Sequence, residues 1–149
     1  MQVKVNIKKT NEHATVPMYG TDGAAAADLF ACIPQKWQRT TVPAGQTVVI
    51  DTGVAMAIPE GYVGLVFPRS GWATKQGLSL ANCVGVIDSD YRGTIGVALH
   101  NHSDVNRIVQ HGDRVAQIAI IPFMKCEFGV VDELDETERG AGGFGSTGQ

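Results

Sequence analysis

The sequence predicts an all-β domain, a distorted jelly-roll barrel or sandwich that ends in a flexible glycine-rich C-terminal arm. Three observations carry this expectation. Apolar and polar residues alternate in short runs, turn residues punctuate those runs, and no segment keeps a helical period with caps at both ends. Val3, Val5 and Ile7 share one face of the first run, opposite Lys4, Asn6 and Lys8. Further strand-like runs occupy residues 47–50, 54–58, 62–67, 94–100, 114–121 and 126–131. Within the fourth of these, Ile95, Val97 and Leu99 again fall on one face. Pro43-Ala44-Gly45, Pro59-Glu60-Gly61, Ser70-Gly71 and Gln110-His111-Gly112-Asp113 separate the runs as turns. A single helical turn is expected after Ser70, over residues 72–76 and ahead of Gly77. The run of four alanines at 24–27 favours helix by propensity and is locally ambiguous. Residues 32–41 read as a polar surface excursion. The β core is expected over 1–131, with 132–149 as an acidic linker and arm of the same domain.

Composition narrows the class further. A chain of 149 residues that is 44% hydrophobic fits one domain. With 18% charged residues and a net charge of −3, it is too apolar and too mixed to be disordered. That acidic balance argues against a nucleic-acid binder, which carries a basic excess. No run approaches the roughly 18 apolar residues of a membrane span, and the alternating N-terminus is not an apolar leader. Cys32, Cys83 and Cys126 are odd in number and far apart, as expected of free thiols in the cytoplasm.

Five stretches stand out. The tail Arg139-Gly140-Ala141-Gly142-Gly143-Phe144-Gly145-Ser146-Thr147-Gly148 has one large apolar side chain and cannot build a core. Its glycines make it costly to order. Its N–H groups, hydroxyls and guanidinium suit a phosphate chain, and Phe144 offers a flat face to a base; a disordered tail is the simpler alternative. The match to G-x-G-x-x-G at 143–148 is spurious, because the chain ends before the helix a dinucleotide fingerprint needs. In Gly85-Val86-Ile87-Asp88-Ser89-Asp90-Tyr91-Arg92-Gly93, a strand runs into a tight hairpin. There an aspartate beside Val86 and Ile87 suits a general base for water, or simply caps the turn. Pro68-Arg69-Ser70-Gly71 opens the helical turn with a guanidinium, a hydroxyl and free N–H groups, an anion-seeking set that is also an ordinary turn. In Gly112-Asp113-Arg114-Val115-Ala116-Gln117, Asp113 and Arg114 read as a structural ion pair, and Gln117 interrupts an apolar run. Asp28 follows the four alanines. The four histidines form no metalloprotease pattern and no Cys-x-x-Cys occurs; His100 and His102 share a strand face.

Taken in order, these stretches resemble the trimeric dUTP pyrophosphatase (dUTPase) family, over residues 24–29, 68–73, 82–93, 112–117 and 139–148. The resemblance implies hydrolysis of dUTP to dUMP and pyrophosphate by water attack at the α-phosphorus. It makes Asp88 the base that deprotonates the water and Tyr91 the residue under the deoxyribose. Asn82, Gly85, Val86 and Ile87 then form the uracil pocket, while Arg69, Ser70, Gly71 and Gln117 contact phosphates. Arg139, Phe144, Gly145, Ser146 and Thr147 belong to an arm that closes over the nucleotide, Phe144 stacking on uracil. Asp28 lies near Mg²⁺, reached through water, with the triphosphate supplying most direct ligands. The family implies a homotrimer whose sites are shared between subunits. Two positions depart from its pattern: Ala26 stands where glycine is common and Trp72 where leucine is common. The related dCTP deaminases share the fold but use a glutamate absent from this hairpin. A regulator that binds nucleotide and signals to a protein is the other alternative, resting on residues 32–41.

Overall fold

A computed structural model of the chain describes residues 3–34 and 36–143. Its first half holds β1 (Asn6–Lys9), β2 (Met18–Tyr19), β3 (Ala27–Phe30), β4 (Arg39–Val42), β5 (Thr47–Asp51) and β6 (Val54–Ala57). The second half holds β7 (Tyr62–Phe67), helix α1 (Ser70–Gln76), β8 (Leu78–Leu80), β9 (Gly85–Ile87), β10 (Gly96–Asn101), β11 (Arg107–Gln110) and β12 (Arg114–Pro122). All pairings are antiparallel. A five-stranded sheet runs β2-β3-β12-β7-β9, a second runs β5-β10-β8, and β1-β6 and β4-β11 form two-stranded ribbons. These short sheets wrap one apolar core, a jelly-roll-like arrangement in which almost every neighbour is distant in sequence. Among the described residues no helix is long and apolar enough to cross a membrane.

The alternation explains the core. Val97 and Leu99 on β10 turn inward with Ile95 ahead of them, and meet Leu29, Val42, Val54 and Leu78. Each such side chain contributes about 1.5–3 kcal/mol on burial. The one polar side chain fully enclosed on β10 is satisfied: Asn101 Nδ2 donates to Val42 O (2.9 Å) and Val105 O (2.8 Å), while its Oδ1 accepts from Ser103 N (3.0 Å) and Ser103 Oγ (2.7 Å). A buried amide with every group paired fixes the end of β10 against β4 and the following loop.

Four expectations need correction. The alanine run leads into strand β3, not a helix, because pairing with both β2 and β12 outweighs a weak propensity. Residues 32–41 are not a surface excursion throughout: Cys32 and Ile33 are buried, and residues 39–42 form β4 against β11. No strand forms over 126–131; after Pro122 the chain runs exposed, with Met124, Phe128 and Val130 nine-tenths or more open. Alternation there lacks a partner strand among the described residues. Val3, Val5 and Ile7 do share a face, but only Val5 packs against the core; Val3 and Ile7 stay exposed, and all three line an open groove of about 790 Å³ with Tyr19, Met56 and Ile120.

The αL conformation at Gly53 (φ +66°) is tied to packing. A Cβ there would stand 2.7 Å from Ala14 Cβ and 2.8 Å from Cys32 Sγ. The same enclosure pushes the Cys32 thiol pKa up by desolvation, and Asp51 adds to it. Gly45 has a similar φ of +68° but open space around it. Gly53→Ala is therefore expected to destabilise the fold by about 3 kcal/mol, and Gly45→Ala by about 1 kcal/mol. Urea unfolding at fixed protein concentration measures both.

Candidate functional site

Three of the five sequence stretches meet on adjacent strands. Register places Asp28 on β3 opposite Gln117 on β12, and Gln117 opposite Phe67 on β7. Asp28 is only 8% exposed, and a carboxylate so far from water needs cations. It has two: Arg69 Nε lies 2.9 Å from Oδ1, and Arg114 Nη1 donates to Oδ2 at 3.3 Å. Arg69 precedes α1 in extended geometry (φ −87°, ψ 130°). Gln117 Nε2 donates to Pro68 O (3.2 Å), tying β12 to the same corner. Ser70 and Gly71 follow, both exposed, ahead of the first helical hydrogen bonds from Trp72 N and Ala73 N to Arg69 O. Their N–H groups belong to the unpaired first turn of a helix. Arg69, Ser70, Gly71 and Gln117 thus form one corner with Asp28 behind it.

Arg114 was not among the expected site residues. Asp113 and Arg114 do not pair with each other: Asp113 Oδ2 accepts from Gln110 N (2.8 Å) and closes the turn, while Arg114 reaches across to Asp28. A register shift between Arg114 and Ala116 accompanies this, as a bulge does when it re-aims a side chain. The sequence signal was Asp28 itself, an acid inside an apolar strand that required a basic partner. Of the two departures, Ala26 is absent from the positive-φ residues and so is unstrained, and Trp72 packs half-buried against the core.

The second cluster is the segment from Asn82 to Gly93. It does not close as a two-stranded hairpin: β8 before it joins the β5-β10-β8 sheet, β9 joins β7, and β10 after it returns to the first. As the edge strand, β9 leaves one side of the Gly85–Ile87 backbone unpaired in the sheet, with Val86 exposed. Asn82 lies over Gly85, whose missing Cβ would stand 3.6 Å from Asn82 Nδ2 and 3.1 Å from Val66 Cβ. Cys83 in the connecting turn adopts φ +60°. Beyond β9, Tyr91 N donates to Asp88 O (3.2 Å) and closes a turn. Arg92 Nη1 braces it, donating to Ser89 O (2.6 Å) and Tyr91 O (2.9 Å). Tyr91 Oη donates to Thr94 O (3.1 Å), and its ring fills the space a Cβ on Gly93 would take. Among the described residues, the side chain of Asp88 makes no hydrogen bond or ion pair. It does not cap the turn, and the apolar pocket expected around it is not formed, since Asp88 is exposed.

The second cluster runs antiparallel along β7, with Gly85 opposite Val66 near the Arg69 end. Ile87 pairs with Gly64, so Asp88 follows on beside the start of β7, whereas Arg69 lies past its end. Along the strand they are about 20 Å apart at roughly 3.3 Å per residue. Arg139 is exposed and its Nε donates to Gly142 O (2.8 Å), away from both clusters' hydrogen bonds. Phe144, Gly145, Ser146 and Thr147 lie outside the described residues. Among the described residues no three His, Cys, Asp or Glu side chains converge as a metal cage. Asp28 carries a guanidinium on each oxygen and offers a cation no bare carboxylate, so only the outer-sphere contact that a hydrated Mg²⁺ makes through water would fit there.

Comparison with known proteins places the whole chain. The dUTPase family model matches residues 12–148. The deoxyuridine 5'-triphosphate nucleotidohydrolase of Desulfitobacterium hafniense (strain DSM 10664 / DCB-2) is 48% identical, covering 99% of this chain and 97% of its own. That of Syntrophotalea carbinolica is 42% identical over 98% and 97%. Among solved structures, Staphylococcus bacteriophage 80alpha dUTPase with dUPNHPP superposes with TM-score 0.88 at 28% identity, covering 99% of this chain and all of that one. A mutant dUTPase from phage phi11 of S. aureus, described with a structural Mg(II) ion, superposes with TM-score 0.76 at 27% identity, over 88% and 98%.

Asp28→Asn is expected to cost about 2 kcal/mol, because it leaves two guanidiniums facing each other around a neutral amide. Arg114→Gln should cost less than about 1 kcal/mol, since that side chain is half in solvent. Denaturant midpoints of the two variants give the comparison.

Proposed function

The chain belongs to the dUTPase family, and from that membership we propose how its residues divide the hydrolysis of dUTP. A water oxygen bonds to the α-phosphorus, the bond from that phosphorus to the bridging oxygen of the β-phosphate breaks, and dUMP and pyrophosphate leave. Asp88 takes the proton from the water. The observation that carries this role is that the fold makes no use of the Asp88 carboxylate: Arg92 and main-chain groups hold the turn in its place. General-base assistance contributes about 10²–10⁴ in rate.

Uracil is read by the open edge of β9 at Gly85, Val86 and Ile87, with Asn82 beside it. A narrow edge pairs main-chain groups with uracil and leaves no space for a 5-methyl; cytosine would bring a donor against a donor, at about 1–3 kcal/mol. Tyr91, held by Thr94 O, supports the deoxyribose. Arg69, Ser70, Gly71 and Gln117 receive the phosphates. Arg139, Phe144, Gly145, Ser146 and Thr147 close over the bound nucleotide. The substrate is Mg²⁺–dUTP, the ion offsetting triphosphate charge and touching Asp28 through water. The family match and the named relatives favour this reading over cytosine deamination.

The site is shared between copies in a homotrimer. Asp88 and Arg69 stand too far apart along β7 to act on one triphosphate, which is much shorter than their separation, so the phosphate corner of one subunit serves the uracil edge of another. The apolar side chains exposed after Pro122 supply surface for that assembly. The β core of the unit ends at Pro122, an exposed stretch follows to residue 131, and 132–149 serve as linker and arm. Free thiols at Cys32, Cys83 and Cys126 and a nucleotide substrate suit the cytoplasm.

Asp88→Asn is expected to bind dUTP as before while losing on the order of 10³ in turnover; calorimetry and pyrophosphate release measure the two, and unchanged turnover removes Asp88 as the base. A chain ending before Arg139 should stay assembled by sedimentation but lose on the order of 10² in kcat/KM, as expected when a closing segment is lost.

A further inference from the structure

We propose that His100 and His102 form a binding site for a divalent transition-metal ion of the imidazole-seeking class (Ni²⁺, Cu²⁺, Zn²⁺), apart from the nucleotide site. The two rings stand on one face at the end of β10, their centroids 4.4 Å apart and their planes at 66°. Register explains how they are held. His100 pairs with Thr47 on β5 on one side and with Ser79 on β8 on the other, so both hydroxyl side chains flank it across three strands. His100 Nδ1 lies 2.9 Å from Thr47 Oγ1, and His102 Nε2 lies 2.6 Å from Ser79 Oγ. In the proposed site each hydroxyl accepts the ring N–H it faces, which puts the lone pairs on His100 Nε2 and His102 Nδ1.

That is the arrangement metal-binding histidines need: one ring nitrogen tied to an outer partner that fixes tautomer and orientation, the other free to ligate. The backbone between the rings is fixed as well. Asn101, fully buried, spends its amide on Val42 O, Val105 O and Ser103, and His102 N donates to Gly77 O (2.8 Å). Little ordering is left to be done when an ion arrives. Two imidazoles and water suit borderline ions and not Mg²⁺, which prefers oxygen ligands. None of Thr47, Ser79, His100 or His102 belongs to the nucleotide site.

The test is calorimetric titration of the full, untagged chain with NiCl₂, with MgCl₂ as the hard-ion control. Wild type should take up no more than one Ni²⁺ per chain, undisplaced by Mg²⁺. His100→Gln and His102→Gln should each abolish this binding, Ser79→Ala should weaken it about tenfold, and His13→Gln and His111→Gln should leave it unchanged. Circular dichroism checks folding; if His100→Gln does not fold, the exposed His102→Gln decides. Pyrophosphate release with Mg²⁺–dUTP should be the same in His102→Gln as in wild type. The proposal is overturned if wild type binds no Ni²⁺, if binding survives in folded His102→Gln, or if that variant loses turnover.

Discussion

The register of β12 is the constraint on which the rest of the molecule depends. One strand, paired on both sides, sets Gln117 between Asp28 and Phe67. A slip of one residue would turn every side chain of the strand to the other face. Held as it is, it puts an acid where water scarcely reaches, and the acid in turn fixes two arginines. The guanidinium of Arg69 cannot leave without stripping a buried carboxylate of its shorter ion pair and leaving it to half-exposed Arg114, so the first residues of α1 are anchored by an interaction that touches no substrate. Pre-organisation of this kind is what a phosphate-binding corner needs, since side chains that must be ordered during binding weaken it.

Much of the fold could be read from the chain, and the limits follow from physics. β7 and the helical turn ahead of Gly77 were legible because their signals are local: alternation over six residues, and a glycine in αL at the helix end. β12 was legible to within a residue of its end for the same reason. The strands that went unread, among them β4, β8 and β11, are three or four residues long and owe their existence to partners far along the chain. Alternation cannot announce a strand of that length. At the site, Asp28, Arg69 and Gln117 were legible as unusual residues in their settings, but the partnership of Asp28 with Arg114 spans 86 positions and depends on a bulge no local pattern betrays. The exposure of Asp88 was misread for a related reason: two apolar neighbours in sequence, Val86 and Ile87, do not enclose a side chain that follows an edge strand.

Under the proposed division of the site, placing Asp88 beside the start of β7 and the phosphate corner past its end has a structural logic. Each half is rigid within its own subunit, one braced by Arg92 and the other by the Asp28 clamp. In the proposed trimer, catalysis becomes a property of how copies fit together, and substitutions far from either cluster influence rate if they shift one subunit against the next. The His100–His102 face lies on the β5-β10-β8 sheet, outside the five-stranded sheet that carries the phosphate corner, so an ion held there acts on stability without entering the reaction.

The stretch beyond Pro122 carries Phe123, Met124, Phe128, Val130, Val131 and Leu134 in the open. Among the described residues nothing covers them; in the proposed trimer, neighbouring copies would. On that proposal a new copy is a sticky particle until it meets its siblings, exposed to chaperones, proteases and clumping, and the time it spends in that state shortens as the cell makes more of it. Scarcity would thus lower the usable fraction of the enzyme as well as its amount, giving its output a steeper dependence on expression than simple proportion.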